Sequence, residues 1–102
     1  MKKLTTLLMT TALLTTAGIA QARDIGLEEA ANLQAAGTIQ TFEKLNGIVF
    51  NQHPDATIEE TELEEKNGGY IYEVELRDTQ GAEWDMKLNA TDGSVLKNEQ
   101  DD

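Results

Sequence analysis

The hydrophobic period of this chain changes at one point, Pro54, and that change restricts it to a small mixed fold. Before the proline, Phe42, Leu45, Ile48 and Val49 recur at helical spacing, with Phe50 extending the stripe. The residue ahead of a proline is pushed out of the helical region, so His53-Pro54 predicts the end of that helix. Beyond it the period becomes two, in short runs closed by glycine turns: Asn67-Gly68-Gly69, Gln80-Gly81 and Asp92-Gly93.

The first run, Thr57 to Glu65, is the least regular. Thr61 and Leu63 share a face while Ile58 has the opposite parity, which calls for a bulge or a late start. The second run is clean: Tyr70, Tyr72, Val74 and Leu76 alternate with Ile71, Glu73, Glu75 and Arg77. In the third, Trp84, Met86 and Leu88 point inward and Glu83, Asp85 and Lys87 outward. A short last strand, Ser94 to Lys97, follows the Asp92-Gly93 turn, and Asn98 to Asp102 reads as a polar acidic tail. Connections this short imply an antiparallel meander with one apolar and one charged face. The expected fold class is α+β, with one or two N-terminal helices packed on roughly four antiparallel strands. Upstream, Asp24 is placed to cap a first short helix bearing Glu28 and Glu29 in its first turn, and Gly37 to end it. Thr38 or Thr41 then caps the second helix.

The first 22 residues carry the marks of a secretory leader. Lys2 and Lys3 form a positive start, Leu4, Leu7, Leu8, Leu13 and Leu14 a short apolar centre, and Ala20-Gln21-Ala22 a small-residue cleavage site. The competing reading is a membrane anchor, which needs ~20 predominantly apolar residues; the threonines at 5, 6, 10, 11, 15 and 16 argue against it. Cleavage after Ala22 leaves a short N-terminal helical segment over 23–37, a domain over 38–97 and a tail over 98–102. The expected location is the periplasm or the exterior, without stable membrane insertion.

Loss of the two leader lysines takes the formal charge from −11 to −13, since all 19 acids lie downstream. Such a field disfavours nucleic acid and anionic lipid as partners and favours basic proteins, cationic peptides or divalent cations, or it serves solubility alone. The absence of cysteine excludes a disulfide framework, thiolate zinc sites and thiol catalysis, so the fold relies on its packed core.

Chemistry-bearing residues are few. His53, the single histidine, sits beside a proline and reads as a helix end, with no evident partner to orient it as a base or ligand. Ser94, the only serine, lies in a turn without a G-x-S-x-G context. Calcium-loop spacing fails ahead of Gly93, where Leu88 and Ala90 take ligand positions, and ahead of Gly81, where Leu76 does. Glu59, Glu60, Glu62, Glu64 and Glu65 form an acidic run whose alternate members share a strand face. Glu60, Glu62, Glu64, Glu73 and Glu75 are the candidate interaction surface, for a basic partner or a cation, against the plain reading of a solvated face. Tyr70, Tyr72 and Trp84 share the parity of Val74 and Met86, which assigns them to the core rather than to a binding surface.

The ordered set of His53-Pro54, the acidic strand Glu60-Thr61-Glu62-Leu63-Glu64, the run Gly69-Tyr70-Ile71-Tyr72-Glu73-Val74, Gly81, Trp84 to Leu88, and Asn89-Ala90-Thr91-Asp92-Gly93-Ser94-Val95-Leu96 resembles the PepSY domain family over residues 38 to 97. Asn89 stands where an aspartate is common, and Glu59 and Thr61 where apolar residues are frequent. The resemblance implies a non-enzymatic module outside the cytoplasm, without cofactor or catalytic motif. It further implies a protein partner, either a peptidase that it modulates or inhibits or a membrane sensor. The alternative from composition is a cation or cationic-peptide binder acting as a buffer or sensor accessory.

Overall fold

A five-stranded antiparallel sheet in sequence order carries two helices on one face. The structure, a computed structural model, describes residues 22–101; the leader reading of residues 1–22 therefore lies, Ala22 apart, outside the described residues. In chain order the elements are β1 (Arg23–Asp24), α1 (Leu27–Ala35), α2 (Phe42–Gln52), β2 (Thr57–Lys66), β3 (Gly69–Arg77), β4 (Glu83–Asn89) and β5 (Val95–Asp101).

The helices begin and end for local reasons. Asp24, expected as a cap, is instead extended and paired with Glu64. Ile25 is drawn into the core and its N–H donates to the Leu63 carbonyl, so the chain stays extended until Gly26, which is the N-cap of α1 without a side-chain cap. Gly37, at φ 76°, closes α1: its N–H donates to the Gln34 carbonyl and that of Thr38 to the Leu33 carbonyl. Thr41 caps α2, its Oγ1 accepting from the Lys44 N–H at 3.2 Å, while Gln34 of α1 accepts from the Phe42 N–H at 2.9 Å. The C-cap of α2 is His53, immediately ahead of Pro54.

The sheet resolves the parity conflict in β2. Ile58 lies opposite Leu76 and Glu60 opposite Glu75, so Glu59 is the extra residue of a bulge, and Ile58 returns to the face shared by Thr61 and Leu63. The β2–β3 turn uses left-handed Asn67 and Gly68, at φ 54° and 79°. The α+β fold with its antiparallel meander is as expected, and the sheet extends it at both ends. The sheet has five strands because Arg23–Asp24 adds an edge to β2. The last strand runs to Asp101, through residues whose polarity suggested a tail, because β4 supplies a full ladder with Trp84 opposite Gln100 and Glu83 opposite Asp101.

Leu45 and Val49 of α2 meet Tyr72, Val74 and Leu76 of β3 and Met86 and Leu88 of β4 in one buried cluster. Tyr72 is fully enclosed, stacks on Phe42 with ring centroids 5.1 Å apart, and donates its hydroxyl to Asn46 Oδ1 at 2.7 Å. Burial raises the Tyr72 phenol above its ordinary pKa, against the neighbouring Thr61 side chain and the hydrogen bond to Asn46, which act the other way. Trp84 and Tyr70 pack against the cluster but are only partly buried. Among the described residues no polar or charged side chain lies in the buried core.

Candidate functional site

The sheet face turned away from the helices carries the charge, and register sorts that charge into rows. Glu60 of β2 lies opposite Glu75 of β3, Glu75 opposite Asp85 of β4, and Asp85 opposite Glu99 of β5: four carboxylates abreast. The next row reads Glu62, Glu73, Lys87 and Lys97, and beyond it Asp24 faces Glu64. Like charges directly opposite destabilise a sheet. The effect is visible at Glu75, whose carboxyl is held above its ordinary pKa mainly by Glu60, with partial desolvation, Asp85, Glu73 and Glu83 adding. Glu62 is raised in the same way, first by Asp24, then by desolvation, Glu64, Glu73 and Glu60.

Of the five sequence-selected acids, Glu60, Glu62, Glu73 and Glu75 line one open depression of about 230 Å³, with Thr61 at its edge. Glu64 groups differently. It joins Glu62 and Asp24, whose nearest carboxylate oxygens all lie within 4.8 Å of one another. Three such oxygens fall short of the six to eight that calcium takes, though magnesium completes a sphere with water. Asp24 is the site residue that sequence reasoning missed. A two-residue strand has no alternation to detect, and an aspartate ahead of a helix reads first as a cap.

Compensating cations lie within and beside this face. Arg77 pairs with Glu59 at 3.0 Å and Glu83 at 2.6 Å, and both hold its guanidinium above its ordinary pKa. Lys97 approaches Asp85 at 3.9 Å. Arg23 donates to both oxygens of Glu29 at 3.1 Å and to Glu65 at 2.5 Å, fastening β1 to α1 and β2.

A second, apolar groove of about 120 Å³ lies on the helix side of the same β2 edge. It is bounded by Ile25, Leu27, Ala30, Phe42, Leu63 and Tyr72, with Thr61 and Glu62 at its rim. Leu27 is 87% exposed.

The residues with catalytic potential are engaged in structure. His53 Nε2 lies 2.8 Å from Asn98 Oδ1, and the imidazole leans on Trp84 with centroids 4.5 Å apart. Trp84 Nε1 donates to Asp78 Oδ2 at 3.0 Å, and Asp78 Oδ1 accepts from the N–H groups of Gln80 and Ala82. These donors, the indole first, hold the Asp78 carboxyl below its ordinary pKa. The cluster ties the end of α2 to β4, β5 and the β3–β4 turn. Ser94 Oγ donates to Asp92 Oδ1 within its own turn.

The profile of the family described as peptidase propeptide and YPEB domain, PepSY, matches residues 19–99. The chain belongs to the PepSY family. Among curated proteins, this PepSY chain is similar to the uncharacterized protein YkoJ of Bacillus subtilis, at 44% identity over 62 residues. That alignment covers 61% of the chain and 36% of YkoJ, so the chain spans well under half the length of this relative. No solved structure matches the chain. Among the described residues no helix is long and apolar enough to cross a membrane.

Proposed function

We propose that this PepSY chain acts outside the cytoplasm by binding protein, modulating or inhibiting a peptidase or a membrane sensor, without catalysis of its own. The observation that carries the reading is the family match across nearly all the described residues, to a domain whose description includes peptidase propeptides. The geometry supports it. The described interior is filled by apolar side chains, and the two concavities described above are open surface depressions. The test is capture of partners from periplasmic extract on the immobilised chain, at low and moderate salt, followed by assay of any captured peptidase with and without the chain. Failure to retain a specific protein at either salt concentration refutes the proposal, and an unchanged rate of a captured peptidase removes its peptidase arm.

A second reading is favoured by one observation, the convergence of Asp24, Glu62 and Glu64. In it the acidic face takes up a divalent cation or a cationic peptide as a buffer or sensor accessory. Calorimetric titration with calcium, zinc and a basic peptide checks it, and heats no larger than dilution remove it.

A further inference from the structure

Among the described residues, the acidic face, the apolar groove and open backbone meet at the β2 edge. On this side the ladder is short. Arg23 pairs with Glu65 and Asp24 with Glu64, and the last bond is from the Ile25 N–H to the Leu63 carbonyl, after which the chain turns away into α1. Leu63 therefore directs its backbone polar groups outward, and by the two-residue period of a strand Thr61 does the same. Among the described residues no backbone group pairs with Thr61 from that side. The bulge at Glu59 then interrupts the strand, so the open ladder is confined to Glu60, Thr61 and Glu62.

The two flanks of this window differ in chemistry. Outward lie Glu60 and Glu62, backed by Glu75 and Glu73. Toward the helices lies the groove walled by Ile25, Leu27, Phe42 and Leu63. A strand laid along the edge sends alternate side chains to opposite faces. One parity meets carboxylates and the other meets apolar carbon.

We infer that the Glu60–Glu62 edge of β2 is a docking site for an extended segment of a partner protein in which Lys or Arg alternates with apolar residues, added as a further strand. This inference rests on the protein-binding reading above and names the surface and the chemistry of the bound segment. Charge complementarity selects the occupant. A second copy of the chain would bring its own glutamates of β2 against these and be repelled, and the bulge denies it the long flat edge that self-pairing uses. A purely basic segment would leave the groove empty, and a purely apolar one would leave the glutamates unpaired. The raised pKa values of Glu62 and Glu75 agree, since an incoming cation relieves the mutual repulsion of these groups. Backbone bonding supplies affinity in this mode of recognition, and the alternating side chains supply specificity.

The probe is the blocked pentapeptide acetyl-Lys-Val-Lys-Leu-Lys-amide, titrated into the isotope-labelled full chain and followed by amide NMR and hydrogen exchange. A peptide of the same composition with its three lysines grouped is the control. The expected result is shifts centred on Glu60 to Leu63 and on Leu27, new exchange protection of the Thr61 amide, and weaker binding of the grouped peptide. Thr61→Pro removes the outward N–H at an edge position where proline is tolerated. It should weaken binding about tenfold, as the loss of one backbone hydrogen bond implies. Glu60→Lys with Glu62→Lys leaves the backbone intact and should abolish the preference for the alternating peptide, which covers the case in which the proline variant fails to fold. Shifts centred on β5, shifts spread over Glu75, Asp85 and Glu99 without Thr61 protection, equal affinity for the two peptides, or no binding at millimolar peptide each overturn the inference. If the chain still captures a partner while the peptide fails, the protein-binding reading survives and this edge is not its site.

Discussion

Replacing Tyr72 tests whether α2 is fastened to the sheet as the geometry requires. The ring is 2% exposed, stacks on Phe42 at 5.1 Å and sends its hydroxyl 2.7 Å to Asn46, so one residue joins β3 to two positions of α2. Tyr72→Phe keeps the ring and removes the hydrogen bond. Asn46 is only half-buried and can turn to water, so the cost is that of one bond, about 1 kcal/mol. Tyr72→Ala also leaves a cavity and should cost about 3–5 kcal/mol. A domain of this length has a stability of roughly 0.05–0.15 kcal/mol per residue, so the alanine variant stands near the limit of folding. Urea unfolding followed by circular dichroism gives both differences. The cycle Phe42→Ala, Tyr72→Ala and the double variant isolates the stacking, expected at about 0.5–1.5 kcal/mol of coupling. The phenol adds a pH signature. Its folded pKa is raised, so the unfolded chain ionises first and stability falls as pH rises beyond the ordinary tyrosine value near 10. Tyr72→Phe should lessen that alkaline loss. An alanine variant within 1 kcal/mol of the parent, or no coupling to Phe42, would show that α2 does not rest on this ring.

The carboxylates predict opposite trends in two windows. Glu62 and Glu75, raised in the fold, cost stability at neutral pH, and that cost fades as pH falls through their folded values, so the thermal midpoint should climb from pH 7 toward about 5. Glu75→Gln should raise the midpoint at pH 7 and flatten this climb. Glu29, Asp78 and Asp92, lowered in the fold, contribute stability above their unfolded values that is lost as pH falls through the folded ones, so the midpoint should drop below about pH 4. Trp84→Phe removes the indole N–H that most lowers Asp78, and an NMR titration should show that carboxyl moving up toward its ordinary value. Gly93→Ala places a β-carbon at φ 80° and 2.7 Å from the Ile48 terminal methyl. Thermal denaturation should show a loss of about 1–2 kcal/mol from the left-handed backbone, with the flexible methyl moving aside.

Much of this architecture was legible because the hydrophobic period changes cleanly. The stripe of Leu45 and Val49 and the alternation through Tyr72, Val74 and Leu76 both survive into the core. Even the parity conflict at Ile58 pointed to the bulge that the register shows at Glu59. What escaped notice was set by pairing rather than by side-chain pattern. β1 is too short to have a period, and β5 is strand through Asn98–Asp101 only because β4 lies beside it. The candidate site divides in the same way. Alternation placed Glu60, Glu62, Glu73 and Glu75 on one face, but the Glu60–Glu75–Asp85–Glu99 row depends on the hairpin registers and on the shift between β4 and β5 at Lys87 and Leu88, and Asp24 enters through tertiary pairing.

From β2 onward each strand meets its neighbour across a tight turn, whereas β1 must come back over both helices before Arg23 meets Glu65. Nearby pairings close first and distant ones last, so the N-terminal latch is the final piece to seat and the earliest to slip. When it slips, the exposed rail of β2 extends from Glu60 as far as Glu65. A visiting strand is then in direct exchange with the chain's own Arg23 and Asp24, and the grip of Arg23 on Glu29 and Glu65 sets how often that exchange begins.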